Sequence, residues 1–478
     1  MENTLTDAYS AQHLREQGHQ LIDLLADHLA RTHADPTPRT IAWREPAEEL
    51  RFWQADFSQP RLTNPLPLFQ QVLERSVNLH SRGYAGHQAA IPLPVGVLAT
   101  TLASVLGNGM AVYEMGMAGN ALEHIVTTHL AQTFGLGPAA GGIITSGGTL
   151  GNLTALLAAR AAATSIWEEG AGGEQLAILV SEQAHYCIDR AARTMGLGSA
   201  GIVKVPVNAR YQMRTDLLEE CWQAATAQGR RVFCVVGSAC STATGSYDDL
   251  AAIAAFARRH GLWFHVDGAH GAAAAFSPQY APLVQGIAEA DSVVVDFHKM
   301  MLLPSLATAV LFRRDRDADR TFAQQAHYLW AEPAKSEWYN SGKRTFECTK
   351  PMTVVGVYAV LRQYGDDLFR QNVEQLYGLA QRFAEMVVAD GQFELACPPQ
   401  SNIVCFRYAA AADALNQHLL RYLLNDGRFY IVSTQLSGRL WLRVSLMQPL
   451  TMEADLALLL QVLKQEAARS ENAAVAQG

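Results

Sequence analysis

Seven short apolar segments alternate with longer segments of helical character between residues 141 and 312. Short apolar runs bounded by glycine or polar residues are typical of buried strands. Strands that alternate with helices predict a mostly parallel sheet with helices on both faces, the α/β class. The predicted strands are Gly141–Ile144, Leu176–Val180, Ile202–Pro206, Val232–Val236, Leu262–Val266, Val293–Val295 and Ala307–Phe312.

The segments outside this region predict two further parts of the chain. Residues 8–32 form an amphipathic helix, and the proline-rich residues 36–67 are expected to be irregular. The helix must cover its apolar stripe, either on a second subunit or on its own large domain. Residues 468–478 are expected to be a frayed tail. The predicted domains are an N-terminal helical arm for dimerisation (1–75), a large α/β domain (76–350) and a small C-terminal α+β domain (351–478).

Composition and charge exclude several classes of protein. Hydrophobic residues make up 49% and charged residues 17%, which is typical of a globular chain rather than a disordered one. The net charge of −8 and the scattered lysines give no basic patch for nucleic acid. The chain shows neither a signal-peptide pattern nor a membrane-length apolar run, so we expect a cytoplasmic protein without a membrane partner. The seven cysteines include no C-x-x-C pair, which predicts neither a disulfide framework nor a metal site.

Residues that could bind a ligand, namely glycines and polar or ionisable side chains, follow five of the predicted strands. The glycine-rich segment Thr145–Thr149 opens a helix, and its hydroxyls and free N–H groups suit a phosphate. Each feature has an ordinary alternative, such as a tight turn or a helix cap. Ligands of parallel sheets bind beyond the carboxyl ends of the strands, where these residues would meet. The predicted binding residues are Ser146, Gly147, Gly148, Thr149, His185, Thr242, Asp267, Ala269, His298 and Lys299.

Lys299 lies between a buried strand and the apolar run Met300–Leu303, and it is one of only six lysines in the chain. Desolvation at such a place can remove the proton from a lysine and make it a nucleophilic amine. The alternative is a lysine with a buried stem whose ammonium reaches solvent.

One ligand would use all of these groups. Pyridoxal 5′-phosphate has a phosphate for residues 146–149 and an aldehyde for Lys299. Asp267 would hold the proton on its pyridine nitrogen, and His185 would stack on its flat ring. The sequence therefore predicts pyridoxal 5′-phosphate as the cofactor, with Lys299, Asp267 and His185 as catalytic residues.

The order of these motifs resembles the group II amino-acid decarboxylases that depend on pyridoxal phosphate. Residues 145–153 (TSGGTLGNL) resemble the family's TSGGTxxNL, residues 265–271 (HVDGAHG) its HVDAAxGG, and residues 296–304 (DFHKMMLLP) its DPHKWLxxP. The likeness extends from about residue 8 to residue 467. It implies the aspartate-aminotransferase-like fold (fold type I) and a homodimeric carboxy-lyase. The implied reaction releases carbon dioxide from an L-amino acid through its Schiff base, the external aldimine, with the cofactor.

Three residues are candidates for binding the substrate. Residues 442–449 (LRVSLMQP) resemble the family's strand whose arginine meets the substrate α-carboxylate, which would be Arg443. The polar, glycine-rich residues 81–88 suit a pocket loop and contribute His87 and Gln88, although a plain surface loop has the same composition. Because these groups are polar, an acidic or small aliphatic L-amino acid is favoured.

The connection Ala326–Arg344 is long and mixes aromatic with charged residues, as a lid does; a loop whose aromatics pack locally is the alternative. The resemblance implies that a mobile loop here carries a tyrosine that returns a proton to Cα. Tyr339 is the first candidate for this role and Tyr328 the second.

Three other functions are alternatives to a decarboxylase that forms an amine. An aminotransferase would need Lys299 to move the Cα proton, and a decarboxylation-dependent oxidative deaminase would give an aldehyde. A third class is a cofactor-bearing binding subunit without catalysis; the intact Lys299, Asp267 and His185 argue against it.

Five residues differ from the family pattern, and the differences bear on the surroundings of the ring rather than on cofactor binding: Cys240, Gly268, Phe297, Met300 and Gln448.

Overall fold

The computed structural model describes residues 4–322, 337–409 and 412–477. Contacts between residues divide the chain into two units. The first unit comprises Met1–His87, Met386–Glu394 and Phe406–Gly478, and the second comprises Gln88–Glu385 and Leu395–Cys405. The predicted boundaries at residues 75 and 350, and the dimerisation role of the first 75 residues, stay predictions.

The second unit contains a seven-stranded sheet in the order β1-β7-β6-β5-β4-β2-β3. Only β7 is antiparallel to its neighbours; the other pairs are parallel. Nearly every strand residue outside β3 is buried, as expected for a sheet that is covered on both faces. The prediction of a mostly parallel sheet is confirmed. The strands are β1 (Gly141–Thr145), β2 (Leu176–Ser181), β3 (Ile202–Val205), β4 (Arg231–Ser238), β5 (Trp263–Asp267), β6 (Ser292–Asp296) and β7 (Thr308–Phe312).

Helices lie before, between and after these strands. The first six are α1 (Thr4–Ala8), α2 (Ala11–Ala34), α3 (Pro46–Phe57), α4 (Leu66–Arg75), α5 (Pro94–Leu106) and α6 (Met117–Thr133). Those between or just after the strands are α7 (Gly148–Ala163), α8 (Ile166–Glu169), α9 (Tyr186–Thr194), α10 (Leu218–Ala227), α11 (Leu250–His260) and α12 (Asp319–Phe322). The remaining four are α13 (Val354–Tyr364), α14 (Asp367–Asp390), α15 (Asp413–Asp426) and α16 (Glu453–Gln477).

A smaller sheet lies in the C-terminal part of the chain, in the order β10-β11-β9-β8. Its strands β10 and β11 are antiparallel, and α15 lies between β9 and β10 in the sequence. This arrangement confirms the predicted α+β part. The strands are β8 (Phe393–Leu395), β9 (Ile403–Tyr408), β10 (Val432–Leu436) and β11 (Arg439–Ser445).

Two predictions about the ends of the chain are wrong. The proline-rich stretch 36–67 contains α3, which begins at Pro46, because proline suits the first position of a helix, where its missing N–H has no partner to lose. The expected frayed tail continues α16 as far as Gln477. Among the described residues, no helix is long and apolar enough to span a bilayer.

Candidate active site

The carboxyl ends of five strands, β1, β2, β4, β5 and β6, lie at one edge of the large sheet. The strand order requires this, because β1 and β6 are each antiparallel to β7 and therefore parallel to one another. A cavity of about 280 Å³ lies at this edge. All ten residues predicted to bind the cofactor line it. Six further residues, for which no binding role was predicted, complete the lining: Asn152, Cys187, Cys240, His270, Asp296 and Leu306.

The glycine-rich segment connects β1 to α7 at one end of the cavity. Gly147 has φ +101°, a left-handed conformation that favours glycine. A Cβ atom on Gly148 would lie 2.9 Å from Oδ2 of Asp296, so only glycine lets the backbone pass this carboxylate. The Ser146 hydroxyl donates to Glu347 Oε1 at 2.5 Å. This hydroxyl can therefore donate to a phosphate only after it leaves Glu347, while the first N–H groups of the 16-residue α7 keep their anion-binding character.

Lys299 forms an ion pair with Asp296, and Nζ lies 2.8 Å from Oδ2. Asp296 is almost fully buried, and its Oδ1 accepts the Thr308 hydroxyl at 2.5 Å. Burial lowers the pKa of Lys299, but the charge and hydrogen bond of Asp296, with help from Asp267, outweigh burial and raise this pKa above its ordinary value. Desolvation, which can deprotonate a lysine at such a place, is therefore outweighed here by Asp296, and the nucleophilic role of Lys299 stays a prediction.

Asp267 and His185 lie near the ends of β5 and β2, where they were expected. Asp267 ends β5 with 8% of its surface exposed, and its Oδ1 accepts the Ala269 N–H at 3.3 Å. His185 precedes α9, and its Nδ1 accepts the Cys187 N–H at 3.4 Å. His185 thus caps a helix and lines the cavity, and its stacking on the cofactor ring stays a prediction. Burial lowers its pKa, and the charge of Lys299 adds to this effect against the opposing charge of Asp267, which favours a neutral, flat ring.

A chain of buried hydrogen bonds lies behind the cavity and has only one possible direction. The Trp263 indole can only donate, and it donates to Ser292 Oγ at 2.9 Å. Because the Gly148 carbonyl can only accept, Asn152 presents its Oδ1 to His265 Nε2 (2.8 Å), so Nε2 carries the proton and donates to it. Nδ1 of the neutral ring then accepts the Ser292 hydroxyl at 2.9 Å. Asn152 Nδ2 in turn donates to the Gly148 carbonyl at 2.9 Å. The chain fixes the His265 tautomer and the Asn152 amide, and it ends at the glycine-rich segment.

The five departures from the family pattern lie mostly outside the cavity. Phe297 is fully buried, and its N–H donates to the Ala307 carbonyl at 3.0 Å, a bond that proline could not make. Met300 is also fully buried. A Cβ atom on Gly268 would lie 2.6 Å from Cβ of Ala272, so alanine there would require a backbone shift. Gln448 donates to the His80 carbonyl at 2.7 Å within the first unit. Of the five, the described lining contains only Cys240.

Two of the three substrate candidates, Arg443 and His87, lie in the first unit. Arg443 is on β11 and is 5% exposed. Burial lowers the pKa of His87, and the positive charge of Arg443 lowers it further, so the two side chains are close enough to interact. The ring of Tyr430 packs 6.0 Å from the rings of both His87 and Tyr84. Tyr84 belongs to the predicted pocket loop 81–88, whereas Tyr430 lies outside every predicted site.

Gln88, the third substrate candidate, begins the second unit. Two residues later, the Ala90 N–H donates to the His298 carbonyl at 3.0 Å, which ties this segment to the one that carries Lys299. The amide nitrogen of Gln88 is buried and has no hydrogen-bond partner among the described residues. Gln88 is not part of the cavity lining.

Tyr339 is not among the described residues that line the cavity. Its ring packs 5.6 Å from the rings of Tyr113 and Trp338. The neighbouring Asn340 accepts the Tyr113 N–H at 2.8 Å, which anchors this end of the expected lid. Tyr328, the second candidate, lies outside the described residues, as do residues 326–336 of the connection.

These residues fit pyridoxal 5′-phosphate. Hydroxyls and helix N–H groups suit its phosphate, Lys299 its aldehyde and Asp267 a protonated ring nitrogen. The model of the pyridoxal-dependent decarboxylase conserved domain matches residues 87–409, which is more than half of the chain. The chain belongs to the pyridoxal-dependent decarboxylase family. It is a pyridoxal-phosphate-dependent carboxy-lyase, and the predicted cofactor is confirmed.

Decarboxylases with different substrates are similar to this chain. The aromatic-L-amino-acid decarboxylase of Bacillus atrophaeus is 26% identical over 476 residues, 95% of each chain. The L-aspartate decarboxylase dtxS4 of Metarhizium robertsii is 29% identical over 71% of this chain and 69% of its own. The structure of Catharanthus roseus tryptophan decarboxylase with L-tryptophan superposes with a TM-score of 0.85 at 21% identity, covering 96% of this chain and 99% of that one. This last likeness confirms the fold of the decarboxylase.

Proposed function

We propose that this decarboxylase converts an acidic or small aliphatic L-amino acid to its amine and carbon dioxide. The observation that carries the proposal is the meeting of Lys299, Asp267 and the glycine-rich segment in one cavity. Pyridoxal 5′-phosphate supplies an aldehyde that bonds to amines and a ring that accepts the electron pair left at Cα when carbon dioxide departs.

The other roles in the proposed reaction belong to residues of the chain. Ser146 to Thr149 bind the phosphate, with Thr242 and His298 at the same site. Lys299 would bond to the aldehyde of the cofactor and later release it to the substrate amine. Asp267 would hold a proton on the ring nitrogen, which would make the ring a better electron acceptor, and His185 would stack on the ring, with Ala269 in the same lining. Because the cavity lies at a buried sheet edge, these charges act in a medium of low dielectric and are correspondingly strong.

The substrate preference rests on candidates from both ends of the chain. Arg443 would bind the α-carboxylate and so orient the bond that breaks when carbon dioxide leaves. His87 and Gln88 contact the side chain of the substrate, and their polar groups favour an acidic or small side chain over a large aromatic one. The similar decarboxylases act, by their names, on aromatic amino acids and on L-aspartate, and the second of these agrees with the proposal.

Transamination, the main alternative reaction, needs a neutral Lys299 to take the proton from Cα. The ion pair with Asp296 opposes this role, because it raises the pKa of Lys299. Formation of an aldehyde is the other alternative, and it depends on how fast Cα is protonated after carbon dioxide leaves. We assign that protonation to Tyr339, as the family resemblance implies, with Tyr328 as the second candidate.

A panel of L-amino acids tests the proposal. Cofactor-loaded enzyme is incubated with each acid, and carbon dioxide, amine, aldehyde and pyridoxamine phosphate are measured. We expect carbon dioxide and amine in equal amounts from an acidic or small aliphatic acid, and neither product with Lys299→Ala. Pyridoxamine phosphate without carbon dioxide would make the enzyme an aminotransferase. Amine at the normal rate with Tyr339→Phe would remove Tyr339 from the mechanism.

We also propose that the decarboxylase is a homodimer. Helix α2 exposes 61% of Leu14 and 45% of Ile22, and Thr32 is its only buried residue. Helix α5 exposes half or more of Leu98, Leu102 and Val105. Apolar faces of this extent are typical of surfaces that a second copy covers. The expected cytoplasmic location stays a prediction.

A further inference from the structure

The pairing of Lys299 with Asp296 leaves the reactive amine charged. The two groups lie 2.8 Å apart at the end of β6, and 21% of the lysine side chain is exposed against 1% of the aspartate. The second oxygen of Asp296 is held by the Thr308 hydroxyl from β7. Thr308 thus holds the carboxylate through a hydrogen bond that does not involve the lysine.

The other titratable groups near Lys299 interact with it less strongly than Asp296 does. Asp267 at the end of β5 attracts the ammonium from across the cavity. Cys187 lies on α9, where burial raises the pKa of its thiol, so this group stays neutral. The ring of His185 also faces Lys299, and burial favours its neutral form. His298 Nε2 lies 3.6 Å from Oδ2 of Asp296, the oxygen that pairs with Lys299.

We propose that Asp296 is the counter-ion that holds Lys299 as an ammonium, and that it thereby controls when this lysine can bond to the cofactor. The proposal rests on the assignment of Lys299 as the lysine that carries pyridoxal 5′-phosphate. It assigns to Asp296 a positioning role that the family motif does not state. It also gives a physical reason why the released lysine leaves the Cα proton alone.

The bonding step itself needs a neutral amine. The ammonium first gives one proton to solvent. The Nζ lone pair then bonds to the aldehyde carbon of the cofactor, and the aldehyde oxygen leaves as water with the two remaining amine hydrogens. No oxidant or reductant takes part. The rate of the step is therefore proportional to the neutral fraction of Lys299, which Asp296 keeps small.

The test is the rate at which cofactor-free full-length enzyme takes up pyridoxal 5′-phosphate, measured by absorbance from pH 6 to pH 9. Without Asp296, burial dominates and the neutral fraction of Lys299 rises. We expect Asp296→Asn to bond the cofactor at least tenfold faster than the unchanged enzyme at pH 7.5. The ratio of the two rates should shrink towards one as the pH rises. Protonation of the cofactor itself changes both rates by the same factor, so it does not affect this ratio.

Thr308→Val is the matched control, because it removes the other hydrogen bond of Asp296 and keeps the ion pair. Its pH profile should match that of the unchanged enzyme. A ratio of one or less for Asp296→Asn across the whole range would overturn the proposal.

The unchanged enzyme provides a second test if Asp296→Asn does not fold. Its rate should rise through the whole pH range without a plateau from the lysine, because the ammonium persists above pH 9. The proposal would be contradicted if the uptake rate of the unchanged enzyme reached a plateau at neutral pH. The same plateau would have to appear in Thr308→Val and with pyridoxal, which lacks the phosphate. Attachment of the cofactor to another lysine would instead refute the assignment of Lys299.

Discussion

Asp267 lies at the end of a fully buried strand and lines the cavity, where it is proposed to hold a proton on the ring nitrogen of the cofactor. A neutral amide of the same shape cannot hold a proton on the ring nitrogen. We expect Asp267→Asn to retain cofactor but to lose about a hundredfold or more in kcat, the usual scale for removing one electrostatic group from an active site. The measurement is kcat per bound cofactor.

Asp248→Asn is the matched control for this variant. Asp248 is also a buried aspartate, but it accepts the N–H groups of Met213 and Ser238 at 2.7 and 2.8 Å and is not part of the cavity lining. The Asp248→Asn variant should have a lower free energy of unfolding, while its kcat per bound cofactor stays unchanged. Near-normal turnover of Asp267→Asn would remove Asp267 from the mechanism.

His265 makes a prediction about stability and pH. Burial lowers its pKa from the ordinary 6.5 to about 4. Above pH 6.5 the ring is neutral in both the folded and the unfolded chain. As the pH falls from 6.5 towards 4, only the unfolded chain takes up the proton, so the folded chain loses stability. This loss amounts to about 2 kcal/mol at pH 5.

Urea unfolding at pH 7 and pH 5 measures this loss. His80, whose burial also lowers its pKa to about 4, adds a similar dependence, so the comparison with His265→Gln isolates the contribution of His265. The variant should lose less stability between the two pH values than the unchanged chain. An equal loss in both would show that His265 does not titrate in this way.

Residue types at the strand ends could be predicted from the sequence, but their partners could not. The motif around residue 296 contains both Asp296 and Lys299, yet the ion pair depends on how the turn after β6 folds back. The chain of hydrogen bonds from Trp263 to Asn152 joins two strands and a helix that are far apart in the sequence. Such contacts arise from the packing, which composition and spacing do not encode locally.

Strands were predictable as elements because each is a short apolar run that the sheet buries. Helix α3 was not, because six prolines between residues 36 and 67 indicate an irregular stretch unless one of them begins a helix. The chain after residue 351 forms two helices, α13 and α14, which are separated at Gly365, whose φ of +63° favours glycine. Boundaries of this kind depend on single residues rather than on periodicity.

The helical arm makes a prediction about assembly. Deleting residues 1–45 removes α1 and α2, and we expect aggregated or inactive protein because the apolar surface they cover on a second subunit becomes exposed. Size-exclusion chromatography with light scattering, combined with an activity assay, measures both effects. A stable and fully active monomer would contradict the proposed role of this arm.

Point variants of α2 separate assembly from folding. Leu14→Glu and Ile22→Glu place a charge on the exposed apolar positions of the helix, and they should weaken the dimer. Gln12→Glu adds the same charge on a polar position of the same helix and serves as the control. A dimer that is unchanged in all three variants would place the interface elsewhere, for example on the exposed face of α5.

The cofactor candidates lie at one buried sheet edge of the second unit, whereas two of the substrate candidates belong to the first unit. All ten predicted cofactor residues come shortly after apolar strands, and a parallel sheet collects the carboxyl ends of its strands at one edge. The substrate candidates Arg443 and His87 come from the first unit, where the sequence offers no such rule. This difference explains why the cofactor could be predicted and the substrate could not.

The central claim is that Lys299 carries pyridoxal 5′-phosphate in this decarboxylase. Sodium borohydride reduces the bond between cofactor and lysine, and digestion and mass spectrometry then identify the modified residue. We predict a single adduct on Lys299, and its loss in Lys299→Ala. An adduct on any of the other five lysines, or one that persists in Lys299→Ala, would contradict the account.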